Sequence, residues 1–254
     1  MRLLGKISIG IIFTLLFLFF NLLGTIRFEL LNSTFLFGSF QRNNVYATLP
    51  QVLAQSLPND PNVPKAERGD YANIAKSIKP DTVKKIIETN FLQVLNYING
   101  ESDDIKISVS PKEIGIPGGA SITWSLSQMQ SKESGSKLDI AKGIGNKILL
   151  SWSVVLSLLI GLFFLFGRLT KPKSLLGGKT LLVIEGVIII VIGIAARLFS
   201  LVMEKSMPQT LEPSQALIKL LASSLFPDIA VTWVICGVLV IILGKVIAPH
   251  ASKK

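Results

Sequence analysis

Long apolar stretches and short polar gaps alternate along this chain, and the four longest stretches set its class. They are Ile7–Gly24, Ile148–Gly167, Thr180–Met203 and Ile229–Ile247. About 20 mostly apolar residues are needed for a helix to cross a hydrocarbon layer roughly 30 Å thick. Lipid offers no hydrogen-bond partner to bare backbone, so such stretches are expected to be helices. A buried helical core of a soluble protein is the alternative, and four such runs with these flanks do not fit one soluble core. Between the first and second runs the pattern becomes that of a folded domain. Val45–Leu57 carries Val45, Leu49, Val52 and Leu53 at helical spacing. Asn59–Pro64 is rich in turn residues, and Glu67–Ile78 reads as a second helix. Pro80 precedes Asp81–Ile98, where Val83, Ile87, Phe91, Val94 and Ile98 form one apolar stripe. Asp81 is placed as its cap or first-turn acid, and Asn99-Gly100 suits a left-handed end.

Ile105–Ser110 alternates apolar and polar, as a half-buried strand does, and Ser121–Leu126 is expected to pair with it. Gly115–Gly119 reads as a loop and Gln128–Lys137 as a polar linker. The Phe- and Leu-rich stretch Thr25–Phe40 is expected on a membrane surface or over the base of the domain. The expected fold is a mainly α membrane protein: four transmembrane helices and a small, mostly helical extracytoplasmic domain with a minor β element. Residues 1–24 form a transmembrane signal anchor, 25–136 the domain, and 137–254 a three-helix bundle with spans near 148–167, 180–203 and 229–247. A cleaved signal peptide is the alternative for the first run, whose small-residue site at Val45-Tyr46-Ala47 lies too far downstream.

Charge orients these spans. Before the first run, between the second and third, and after Gly244 there are nine basic residues and no acidic one. Residues 25–147 hold 14 basic and 12 acidic residues, and the loop 204–228 two and three. The positive-inside rule therefore puts both termini and the 168–179 loop in the cytosol, and 25–147 and 204–228 outside. The net charge of +10 is mostly a topology signal, so no nucleic-acid partner is expected.

The local stretches Asn44-Val45-Tyr46, and Lys79-Pro80-Asp81 running on to Tyr97-Ile98-Asn99-Gly100-Glu101 and the Ile105–Val109 strand, resemble a loose group of uncharacterised bacterial four-span membrane proteins. These have an extracytoplasmic domain between the first and second spans and a Tyr-Leu-Asn-Gly-Glu-like turn after a helix. The resemblance implies a bacterial cytoplasmic membrane and brings no functional residue with it.

The chemistry is sparse. Cys236 is the lone cysteine, inside the fourth span, and reads as a small apolar filler. His250 is the lone histidine and lies in the basic tail, which leaves no basis for a histidine triad or a histidine zinc site. Ser121, Ser125 and Ser127 near Lys112 and Lys132 offer only the residue types of a Ser–Lys pair. Gly177-Gly178-Lys179-Thr180 ends like a phosphate loop, but Lys173 stands where its first glycine belongs. Asn32-Ser33-Thr34 is a glycosylation sequon, relevant only in a eukaryotic secretory pathway. Glu101, Asp103 and Asp104 would hold a hard cation or simply form a solvated acidic turn; their spacing is not that of an EF-hand. No cofactor is implied.

Inside the spans, Glu185 and Arg197 lie about 18 Å apart along one helix and do not face each other. Glu185 is at the depth of Arg168 and Lys245, and Arg197 is near Glu204 or Asp228. Structural pairing is weighed against an ion or proton path through Glu185, Arg197 and Lys245. No polar stripe is read along any span. Small residues mark expected packing faces: Ser153, Ser157 and Gly161; Gly186 and Gly193; Gly237 and Gly244. The expected function is a cell-envelope binding, sensor-like or accessory subunit with a non-catalytic domain, partnered by the lipid bilayer and a membrane or envelope protein. A small transporter or channel subunit using the intramembrane charges is the alternative, and a membrane enzyme acting on lipid or wall precursors the third.

Overall fold

The first apolar run forms helix α1, Arg2–Thr25, which loosens into one π turn, Ile26–Leu30. The computed structural model describes residues 2–56, 64, 66–112, 121–125, 141–169, 178–205 and 212–246. Helices α2 (Ser33–Arg42), α3 (Val45–Ser56), α4 (Arg68–Ser77) and α5 (Pro80–Asn99) follow, then strands β1 (Lys106–Val109) and β2 (Ile122–Ser125). Three long helices close the chain: α6 (Ile144–Leu169), α7 (Gly178–Lys205) and α8 (Pro213–Val246). Among the described residues, four helices are long and apolar enough to cross a membrane. No more than 28% of the residues in any of their apolar windows are buried, so their outward faces are apolar too. Leu15, Leu150, Phe164, Val191 and Val231 are all more than half exposed. Apolar surface of that extent suits hydrocarbon and not water, as in a multi-pass membrane protein.

The chain divides into two compact units, one of Met1–Glu29, Lys147–Phe199 and Phe226–Lys254 and one of Leu30–Asn146 and Ser200–Leu225. The first is a helix bundle. Phe13 and Leu23 of α1 pack with Val155, Leu159 and Phe166 of α6 and Leu181 of α7. Aromatic rings continue along α1: Phe13, Phe17 and Phe20 stack in sequence, and Phe20 stacks on Trp152 with centroids 4.7 Å apart. Helices α7 and α8 meet backbone to backbone. A methyl group on Gly186 would come within 2.6 Å of the Gly237 carbonyl oxygen, and one on Gly237 equally near that of Gly186. Gly193 is similarly close to the Ala230 carbonyl. These are the small-residue faces expected on the third and fourth spans. The face expected on α6 is different: Ser153, Ser157 and Gly161 are exposed, and nothing lies within 4 Å of a methyl placed on Gly161. The two serine hydroxyls bond back to the carbonyls of Leu149 and Ser153 instead.

The second unit is built on α2, α3, α5 and the first turns of α8. Phe40, Val45, Tyr46, Leu49, Val52 and Val83 form its core together with Ala216 and Leu220. Thr25–Phe40 thus does more than cover a base, because Leu36 and Phe40 are buried. Asn32 caps α2, its side-chain oxygen accepting from the Thr34 and Phe35 amides at 2.9 and 3.3 Å. In α5, Lys79 is the cap and Asp81 the first-turn acid. Gly100 ends the helix at φ +77°, a left-handed conformation that costs glycine little. The strands pair antiparallel, with Ile107 opposite Trp124 and Val109 opposite Ile122. Asn90 of α5 ties β1 to the helix, accepting from the Ser108 amide at 2.8 Å and donating to its carbonyl at 3.0 Å. The Gly115–Gly119 loop and the Gln128–Lys137 linker lie outside the described residues.

The expected outer loop 204–228 is largely helix, since α7 runs to Lys205 and α8 begins at Pro213. Pro227, within that expected loop, lies inside α8. A proline there has no N–H for the carbonyl four residues back, that of Ser223. The Ser200 hydroxyl donates to that carbonyl at 3.2 Å, and the Asn43 amide donates to the next one, Ser224, at 2.8 Å. The Ser200 side chain thus replaces the missing backbone donor, and the helix continues through the proline.

Candidate functional site: a polar face inside the bundle

Helix α1 is not uniformly apolar. Thr14, Asn21 and Thr25 are spaced by seven and four residues, so at 100° per residue they fall within about 40° of arc. Glu29 follows one turn later, in the π turn. This is a polar stripe where none was expected.

At one end of the stripe the Thr14 hydroxyl donates to Oε1 of Glu185 on α7. Glu185 is fully buried, and its Oε2 has no hydrogen-bond partner. The pairing expected with Lys245 is not formed: Lys245 is exposed near the end of α8, and the Arg168 side chain lies outside the described residues. A neutral hydroxyl takes the place of a cation. Beside Thr14 a cavity of about 310 Å³ is lined by Gly10, Ile11, Phe166, Leu181 and Ile184. Arg197 is exposed on α7, where its long side chain can reach a membrane surface. The Glu204 side chain lies outside the described residues. Glu185, Arg197 and Lys245 therefore do not converge.

At the other end the Trp233 indole of α8 donates to the Thr25 hydroxyl at 2.7 Å. Glu29 is 6% exposed, and its Oε2 has no partner. The Thr232 hydroxyl and the Asp228 carboxylate are its polar neighbours. A partly open cavity of about 200 Å³ lies here, lined by Phe20, Asn21, Gly24, Thr25, Phe28, Glu29, Trp152, Thr232, Trp233 and Cys236. Trp152 lies close against Gly24 of α1: a methyl there would stand 3.3 Å from the indole nitrogen, a tight contact. Cys236, expected only to fill space, forms part of this wall.

The acidic turn of the second unit is simpler. Asp103 forms an ion pair with Lys142 at 2.6 Å, and that ammonium holds its carboxyl below the usual range. The Ser102 hydroxyl donates to the Asp104 carbonyl and accepts from the Asp104 amide. Glu101 is exposed. Among the described residues no group of three or more His, Cys, Asp or Glu side chains is placed to hold a metal ion. Ser127, Lys132, Lys173, Gly177 and His250 lie outside the described residues.

Sequence reasoning missed Glu29 because it stands just past the first apolar run, beside Arg27, and was counted with the domain. The 14, 21, 25, 29 spacing was the signal that marked it. No protein-family model, curated protein or solved structure matches this chain.

Proposed function

We propose that the chain is a sensor-like or accessory subunit of a bacterial cytoplasmic membrane. Both termini lie in the cytosol, and the segment 25–147 lies outside and binds an envelope or membrane partner. The first span stays with the mature protein as a signal anchor. Its packing supports that, since Phe13 and Leu23 are both buried in the bundle core.

The observation that carries this reading is helix α8. One helix of 34 residues, about 51 Å long, belongs to the domain unit up to Leu225, where Ala216 and Leu220 join the core, and to the bundle unit from Phe226 on. Partner binding that shifts the domain core thereby has a covalent route into the membrane. Photo-crosslinking groups placed at exposed domain positions, such as Tyr71 and Glu101, test it in the native membrane. One reproducible protein adduct from several such positions is expected, and lipid adducts alone would remove the idea.

A second reading, a small proton or cation transporter or channel subunit, is favoured by the buried Glu185 and its Thr14 contact. Intramembrane acids often mark ion paths. It requires flux into liposomes that Glu185→Gln abolishes; wild-type liposomes with no flux would end it.

A further inference from the structure

We propose that the cavity between α1, α6 and α8 at the Glu29 end of the bundle binds an alkylammonium group, either the headgroup of an aminolipid or a dissolved amine. The inference stands apart from the sensor reading, because it concerns only the bundle and needs no protein partner.

Three features select that chemistry. The first is charge. Glu29 is 94% removed from solvent by its 6% exposure, its Oε2 receives no hydrogen bond, and the Asp228 carboxylate lies near enough to repel it. A buried acid beside another acid is stabilised by binding a cation. Among the described residues, no cationic side chain lines the cavity. The second is the wall. Phe20, Phe28, Trp152 and Trp233 are four of its ten lining residues, and aromatic faces attract ammonium ions. Trp152 is held rigid, stacked on Phe20 and met edge-on by Phe28 at 5.2 Å. Thr25 is likewise fixed by Trp233, so the lining is formed in advance. A bare metal ion would want six or more oxygen ligands, and this lining is mostly carbon. A cation that itself carries carbon matches both the acid and the rings.

The third feature is depth. Glu29 is the last residue but one of the first apolar helix, which runs Ile7–Leu30. Lipid headgroups and tryptophan belts occupy that level of a bilayer. The cavity is about 200 Å³ and partly open, enough for an ammonium with short alkyl substituents. The π turn Ile26–Leu30 sets the carboxyl there, in a helix geometry that recurs at functional sites.

The full chain in phosphatidylglycerol nanodiscs tests this, with Trp124→Phe removing the one tryptophan outside the bundle. Emission from Trp152 and Trp233 is followed while ethylammonium or tetramethylammonium chloride is added against sodium chloride of equal ionic strength. A second set of discs carries phosphatidylethanolamine in place of half the lipid. A saturable change on adding an amine supports a dissolved ligand, and a shift present only in the ethanolamine discs supports the lipid headgroup. Glu29→Gln, which keeps the side-chain shape, should weaken either response about tenfold. Thr232→Val gives an independent weakening if the first variant melts early. No response to either source, or a response undiminished in a folded Glu29→Gln protein, overturns the proposal.

Discussion

A carboxyl group inside an apolar bundle needs either a cation, a set of donors or a proton of its own. Glu185 has one donor, the Thr14 hydroxyl, and Glu29 has Thr232 beside it. Outside the bundle the same economy of partners appears at Tyr46. Its hydroxyl donates to Glu88 at 2.9 Å, and the ring is 6% exposed. Burial, and then the hydrogen bond and charge of Glu88, push this phenol above its ordinary 10.0. A raised folded value means that the stabilisation is complete below pH 10. It is lost as pH climbs above that, because the unfolded chain ionises its tyrosine first. Tyr46→Phe should cost about 1 kcal/mol at pH 8. The gap between wild type and variant should shrink between pH 10 and 11. Urea unfolding of both proteins at the two pH values measures this. Tyr71, raised by its hydrogen bond to Glu67, is present in both proteins and cancels.

Helices α7 and α8 show which parts of an element a sequence discloses. The spans themselves were legible, because twenty consecutive apolar residues admit few other structures. The glycine contact was legible as well: Gly186 and Gly193, and Gly237 and Gly244, each recur every seven residues, and close helix approach uses small residues. The same reasoning failed on α6, because spacing identifies a face without naming what that face touches. Gly186→Leu should therefore push α7 from α8 and lower the melting temperature in detergent by several degrees, an overpacking cost of about 1–3 kcal/mol. Ser157→Leu, on an exposed face of α6, should leave it unchanged. The helical 213–228 stretch fell in the expected outer loop, and it holds Pro227, a residue whose usual meaning is a break. The compensation comes from Ser200, 23 residues earlier than the carbonyl it serves, which no local pattern reveals. Ser200→Ala should leave the Ser223 carbonyl without a donor and cost about 1–3 kcal/mol. Pro227→Ala restores the backbone N–H, so the serine substitution should cost much less in that background. A double-mutant cycle by thermal unfolding gives the coupling, and simple additivity would refute this account of the helix.

Charge asymmetry is a property of the complete chain, and it alone carries the orientation of the protein across a membrane. Nine basic residues and no acid stand before the first span, between the second and third, and after Gly244, which by the positive-inside rule marks one side. Lys137, Lys142 and Lys147 flank the second span on the other side and weaken the bias there. Of these, Lys142 is offset by its ion pair with Asp103. The candidate site was less legible than the four long apolar helices, since Glu29, Trp152 and Trp233 come from three separate helices and meet only when the bundle forms. Orientation matters for that site as well. If both termini lie in the cytosol, as proposed, α1 runs outward and Glu29 stands at the outer leaflet. Two single cysteines decide the matter in a Cys236→Ala background. Asp103→Cys replaces a side chain that is 94% exposed in the domain unit, and Lys245→Cys lies at the far end of α8. A membrane-impermeant maleimide added to intact cells, or to spheroplasts where an outer membrane intervenes, should modify position 103 and spare position 245 until the cells are lysed. The opposite order would invert the protein, place the Glu29 cavity in the cytosolic leaflet, and move the partner of the domain inside the cell.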